Sequence, residues 1–141
     1  MEPLEELRHL IAEHGWAVRH VVGPDPGRTF SYTVGLTGYL HPEVVMTGLP
    51  PDVAHAFLNV AGRVVVREHG HFAPGEETTA LADGRAFQVV AVTDTSGLTA
   101  VAELYGDVRA VQVVWTDSRG HLPWEDGYAN PPGSQPLLGP R

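Results

Sequence analysis

The sequence has no cysteine and no lysine among its 141 residues. Without thiols the chain can form no disulfide bond and no thiolate zinc site, and it has no cysteine nucleophile. All nine basic residues are arginine, scattered along the chain, and seventeen acidic residues outnumber them, so the formal net charge is −8. Because the average field of such a chain repels a phosphate backbone, we expect no nucleic-acid partner.

Long apolar runs are missing as well. No stretch approaches the roughly 20 residues that are needed to span a bilayer, and the acidic, amphipathic beginning MEPLEELRHL is unlike a signal peptide. We therefore expect a soluble, cytoplasmic protein with no membrane partner. The composition is that of an ordinary globular protein, with 43% hydrophobic and 18% charged residues. No repeat or linker divides the chain, so we expect residues 1–141 to form a single domain.

Hydrophobic periodicity predicts helices that alternate with strands. Apolar residues at helical spacing predict helices over 3–14, 51–66 and 97–106. Alternating or continuous apolar runs predict strands over 16–22, 30–36, 44–49, 86–93 and 108–116. The turn composition of GPDPGR joins the first two strands, which should therefore form a hairpin.

This order of elements predicts an α+β fold: a single compact domain around a central antiparallel or mixed sheet of about five strands. We expect the two main helices, 3–14 and 51–66, to pack on one face of that sheet. The segment that begins at His121 holds five of the twelve prolines, so it cannot be a central strand. Its leucines and aromatic residues predict an irregular, proline-rich coat that packs on the body of the protein.

Short motifs along nearly the whole chain resemble a family of small bacterial proteins, catalogued as domain of unknown function 4262. The motifs are GW at 15–16, YTVGL at 32–36, HPE at 41–43, GLP at 48–50, LN at 58–59, ELYG at 103–106, VVW-D at 113–117, PWE-GY at 123–128 and QPLLG at 135–139. The resemblance implies no activity, cofactor or fold, because none is established for the family. It does draw attention to YTVGL, HPE and PWE, which recur as hallmarks, whereas HGH at 69–71 is not part of the pattern.

The best candidate site is the connection TGYLHPE, which joins two apolar strands. His41 could act as a general base near neutral pH, and Glu43 could orient it or share its proton, so these two are the candidate catalytic residues. Tyr32, Thr33 and Tyr39 would surround the same end of the sheet and bind a ligand. Alternatively, HPE is a plain turn in which the proline holds His41 extended and Glu43 is solvated.

A second candidate site lies near the C-terminus. Trp115, Asp117 and Trp124 place aromatic rings beside carboxylates, which suits a recognition wall for a small molecule or a peptide. The structural alternative is that Asp117 bonds the backbone of its own turn and that Trp124 stacks on the core.

A metal site is the third possibility that the sequence raises. His69, His71 and Glu76 come within one residue of a cupin-like metal motif, and alternating histidines on a strand project to one face. The helical period of the preceding residues and the lack of a second such motif favour a polar loop instead. The other histidines are expected at the surface or as satisfied interior residues: His9, His14, His20 and His55.

Three functions remain open from these residues. The leading one is a protein that binds a small molecule or a peptide, as an accessory biosynthetic enzyme if His41 and Glu43 are catalytic. The second is a non-catalytic interaction module, immunity-like or regulatory, that binds a partner through its acidic surface. The third is a metal-dependent enzyme that uses His69, His71 and Glu76. A serine hydrolase has little support, because G-x-S-x-G is absent, and the sequence identifies neither a cofactor nor an oligomeric state.

Overall fold

A computed structural model describes residues 3–140 as three helices, six strands and two short 3-10 turns. The helices are α1 (Pro3–His14), α2 (Pro51–Val66) and α3 (Thr99–Tyr105). The strands are β1 (Ala17–Val21), β2 (Phe30–Val34), β3 (Glu43–Thr47), β4 (Glu77–Thr78), β5 (Phe87–Ala91) and β6 (Ala110–Val114). The 3-10 turns are Pro26–Arg28 and Leu36–Tyr39.

The strands form one open, mixed sheet in the order β1-β2-β3-β6-β5-β4. Every neighbouring pair is antiparallel except β3 and β6, which run parallel with Val44 opposite Val111. The predicted α+β fold, with a mixed sheet in a single compact domain, is therefore confirmed. The sixth strand, β4, has only two residues and no hydrophobic pattern, and the sequence predicted a loop there.

The helices cover both faces of the sheet. Val44 points to the face where Leu58 of α2 packs, and the next residue, Val45, points to the face where Leu7 of α1 and Val101 of α3 pack. The expectation that α1 and α2 share one face is therefore wrong. The helices lie on opposite faces because all five residues of β3 and of β6 are buried, and a strand that is buried on both faces needs a covering element on each.

The C-terminal segment is fixed to the α1/α3 face by buried amides. The Gln112 side chain, which has no exposed surface, donates to the carbonyl of Pro136 at 2.9 Å and accepts from the N–H of Leu138 at 2.9 Å. The Gln135 side chain bonds both the N–H and the carbonyl of Trp115, each at 2.9 Å. The predicted packing of this irregular segment on the body is confirmed. Within residues 3–140, no helix has the length and apolar character that crossing a membrane would require.

Candidate functional site

Glu43, one of the two candidate catalytic residues, lies fully buried at the start of β3. Its carboxylate accepts five hydrogen bonds of 2.6–3.1 Å. The donors are the hydroxyls of Thr33 and Thr37 and the N–H groups of Gly35, Leu36 and Thr37. The reading in which Glu43 is solvated is therefore wrong. The carboxylate holds the turn that follows β2 in place.

Gly35 allows this turn to form so close to the end of α1. Its φ of 127° lies in the region that favours glycine, and a β-carbon there would lie 2.8 Å from the carbonyl oxygen of Gly15. Any side chain at this position would push the turn away from the Glu43 carboxylate.

His41 is 7% exposed, and both of its ring nitrogens are engaged. Nε2 accepts from the N–H of Phe72 at 3.0 Å, which leaves Nδ1 to donate to the carbonyl of Pro42 at 2.6 Å. The imidazole thereby ties the loop after α2 to the start of β3. His41 and Glu43 bond to different parts of the chain and form no hydrogen bond with each other within the described residues.

The candidate ligand-binding residues around this loop are mostly interior. Tyr32 is 1% exposed, and its hydroxyl accepts from the N–H of Ala100 at 3.3 Å. Thr33 has no exposed surface, and its hydroxyl also accepts from the N–H of Val44. Only Tyr39, which is 48% exposed, faces solvent. Tyr32 and Thr33 thus lie in the interior of the fold, and Tyr39 lies at its surface.

Asp117 bonds the backbone of its own loop, as the structural alternative had it. Its carboxylate accepts from the N–H groups of Arg119, His121 and Ala129 at 2.7–2.9 Å. Burial by itself raises the pKa of Asp117, but these three bonds and the nearby His121 ring outweigh it, so the pKa falls to about 2. The carboxylate closes the loop between β6 and the C-terminal coat.

The two tryptophans of this candidate site lie apart from the TGYLHPE loop. Trp115 donates its indole N–H to the carbonyl of Thr47 at 2.9 Å. Trp124 lines a cleft of about 720 Å³ beside β5, together with Leu122 and Gln88. Trp115 and Trp124 are therefore not brought together with His41 and Glu43 in one site.

The metal site proposed for His69, His71 and Glu76 does not form. His69 adopts a left-handed backbone with a φ of 57°, so the histidines do not alternate along a strand. His71 and Glu76 approach each other at 3.3 Å as an exposed pair, and Glu76 also accepts from the N–H of Ala73. Across residues 3–140 no group of three or more histidine, aspartate or glutamate side chains is placed to hold a metal ion.

A groove between α1, β1 and α2 brings together residues that sequence reasoning did not connect. We call it the α2 groove; its volume is about 460 Å³. Its polar and aromatic lining consists of His14, Trp16, His55, Asn59, Arg63 and Arg67. The last four are spaced four residues apart and lie on one face of α2 and its C-terminal end. That polar stripe, in a helix otherwise rich in valine and alanine, is the signal that could have revealed the groove.

Trp16 is held in the α2 groove by a hydrogen bond and by close packing. Its indole N–H donates to the Asn59 side chain at 3.1 Å, and its ring packs directly against Gly62, where a β-carbon would overlap it. The Arg67 guanidinium lies 5.5 Å from the ring centroid, which is cation–π distance. The aromatic surface is thus fixed in place, with a positive charge beside it.

A chain of hydrogen bonds leads from the α2 groove into the sheet. His20 Nε2 lies 3.3 Å from Nδ1 of His55, which lines the groove, and His20 Nδ1 lies 2.7 Å from the hydroxyl of the buried Ser31. Burial, and secondly the charge of His55, lower the pKa of His20 below its ordinary 6.5. Two imidazoles in contact form a path along which a proton can move between the groove and the sheet.

The family model described as domain of unknown function 4262 matches residues 10–129. The chain belongs to this family. No curated protein and no solved structure matches the chain.

The motifs that carry the resemblance meet in pairs in the fold. Trp16 of the GW motif is hydrogen-bonded to Asn59 of the LN motif in the α2 groove. Residues of YTVGL surround Glu43 of HPE in the buried turn. Trp115 of VVW-D is hydrogen-bonded to Gln135 of QPLLG in the coat. Of these three junctions, that of Trp16 with Asn59 belongs to the lining of the α2 groove, and the other two hold the buried turn and the coat in place.

Proposed function

We propose that this protein binds a small molecule or a peptide that carries an acidic group, and that the ligand lies in the α2 groove. The observation that carries the proposal is the fixed Trp16 ring beside Arg63 and Arg67, in a chain whose net charge is −8. Guanidinium groups recognise carboxylates and phosphates through paired hydrogen bonds. An aromatic wall with a few placed polar groups is the usual composition of a ligand site.

The internal bonds of the TGYLHPE loop also favour the α2 groove. A reaction at His41 and Glu43 would first have to break hydrogen bonds that hold the loop together. The groove residues Arg63 and Arg67 are exposed, and within residues 3–140 the only ion pair of Arg63 is with the exposed Glu68 at 3.6 Å. Such an exposed pair is weak, so an acidic ligand can displace it. If the protein is also an accessory enzyme, His20 and His55 are the proton-transfer groups that the groove offers.

The test uses aromatic anions as probes and reads the groove directly. We expect benzoate and phenyl phosphate to shift the indole N–H signal of Trp16 in ¹⁵N NMR spectra, and the neutral benzamide to shift it much less. Arg67→Gln should weaken the binding of phenyl phosphate about tenfold or more, because it removes a charge-assisted hydrogen bond.

The matched control is Arg119→Gln, at an exposed arginine on the turn after β6. It removes the same charge from the protein without touching the groove, so the affinity should stay within about twofold of the parent. If both variants weaken binding equally, or if benzamide binds as well as benzoate, the proposal is wrong.

A further inference from the structure

We infer that the ligand of the α2 groove is an extended acidic peptide whose backbone pairs with the free edge of β1. This inference rests on the proposed function and names its ligand. It draws on three features of the molecule: the open edge of the sheet, the position of the groove beside that edge, and the charges on both sides of it.

β1 is the long open edge of the sheet. Among residues 3–140 it lies at one end of the strand order and pairs only with β2, while the strand at the opposite end, β4, has two residues. Exposure rises along this edge to 39% at Val21 and 69% at Val22, so no other part of residues 3–140 covers its end. A free edge of this length presents unpaired backbone groups to a further strand.

The edge has few of the features that usually prevent pairing. Native edge strands are commonly protected by proline, by charged side chains such as lysine, by a bulge or by a covering helix. β1 reads AVRHV: it has no proline, Arg19 is its one charged residue, and its five residues pair with β2 in an unbroken register. Recognition of peptides by addition of a strand uses such an edge together with pockets for alternate side chains.

The α2 groove lies directly beside this edge. Trp16, Ala17 and Val18 line it, and α2 runs antiparallel to β1, because Trp16 contacts Asn59 while His20 contacts His55. These contacts place β1 beside residues 55–59 of α2, with Arg63 and Arg67 beyond the Trp16 end of the strand. An added strand would therefore run beside the groove and reach the two arginines at that end, with every second side chain directed at α2.

The charges along this path select an acidic peptide. Side chains that point to α2 would meet Arg63 and Arg67 at the Trp16 end of the groove. Val18 faces α2 and Ala17 faces the other side of the sheet, so Arg19, two residues after Ala17, also lies on the side away from α2. There Arg19 would meet the peptide side chains that point away from α2. A second copy of this chain fits poorly, because pairing two β1 strands about their middle would place Arg19 opposite Arg19.

The experiment compares three synthetic peptides on the intact protein. The probe is acetyl-Val-Glu-Val-Glu-Val-Glu-amide. The first control has lysine at each glutamate, and the second carries N-methyl groups on alternate backbone amides, so that one edge cannot donate hydrogen bonds. We expect the glutamate peptide to bind at least tenfold more tightly than either control, measured by titration calorimetry. It should also slow hydrogen exchange of the β1 amides that point away from β2 about tenfold or more.

Protein variants separate the edge from the groove. Arg67→Gln should weaken the binding of the glutamate peptide about tenfold, while Arg119→Gln should leave the affinity for this peptide unchanged. The inference is overturned if the N-methylated peptide binds equally well, if exchange of the β1 amides does not change, or if the glutamate peptide fails to bind while benzoate and phenyl phosphate still shift the Trp16 signal. In the last of those cases the groove remains a site for small anions. If neither the peptide nor the aromatic anions bind, the proposed function fails as well.

Discussion

A carboxylate that leaves water loses several kcal/mol of hydration unless hydrogen-bond donors replace it. For Glu43 the replacement is complete, with five donors from the segment Thr33–Thr37. Glu43→Gln keeps the shape of the side chain but turns an NH₂ group towards backbone N–H groups that then lack an acceptor. We expect this variant to lower the free energy of unfolding by about 3 kcal/mol, measured by urea denaturation at pH 7.

The control for Glu43 is Glu103→Gln, at an exposed position of α3, which should change the free energy of unfolding by less than about 0.5 kcal/mol. A loss of under about 1 kcal/mol for Glu43→Gln would show that the five bonds add little to stability.

The sequence could indicate that His41 and Glu43 are special, but not which groups they contact. Residues two apart share a direction only on an extended chain, and here Glu43 reaches back to the end of β2.

At the scale of elements, the contact of α2 with Trp16 leads to a prediction that runs against helix propensity. Gly62 lies in α2, where alanine is normally about 1 kcal/mol more favourable than glycine. A β-carbon at this position would overlap the Trp16 ring, and overpacking of this kind costs about 1–3 kcal/mol. We therefore expect Gly62→Ala to destabilise the protein in urea denaturation.

The control for Gly62 is the same substitution in a Trp16→Ala background. With the ring removed, Gly62→Ala should stabilise the protein by about 1 kcal/mol, as helix propensity alone requires. A similar effect of Gly62→Ala in both backgrounds would mean that the helix does not rest on the tryptophan.

The positions of the helices and strands could be predicted well from this sequence, but the face of the sheet that each helix covers could not. α1 and α2 have the predicted bounds, because their apolar spacing is helical and a proline stands in the first turn of each. The end of each predicted strand lies within two residues of the observed one. The run VVM in β3 is buried throughout, so polar and apolar residues do not alternate in it. Without that alternation the sequence does not show which face of the sheet a given helix covers. The sequence did not predict the α2 groove, because the residues that line it come from α1, β1 and α2, which only the fold brings together.

At the scale of the whole molecule, the placement of charge bears on the acidic ligand that we propose for this acidic protein. The net charge of −8 is an average over the chain, and its field is screened within about 8 Å at physiological salt. Carboxylates farther away than this are therefore largely screened from the arginines of the α2 groove, although the molecule as a whole is negative. Composition predicts the average field correctly, but the local field depends on which residues the fold brings together.

Acid stability also belongs to the whole molecule, and Asp117 gives it a defined pH window. Its pKa in the folded protein is about 2, against an ordinary value of 3.8, so the unfolded chain binds its proton first as the pH falls. The stability that Asp117 contributes is fully present above pH 3.8 and is lost as the pH falls towards 2. We expect Asp117→Asn to be less stable than the parent at pH 7 and nearly equal to it at pH 2, in urea denaturation at both pH values.

The control is Asp126→Asn, at an exposed neighbour in the same segment, which should match the parent at pH 7. A deficit of Asp117→Asn that is the same at pH 2 as at pH 7 would show that the three backbone hydrogen bonds do not depend on the charge of Asp117.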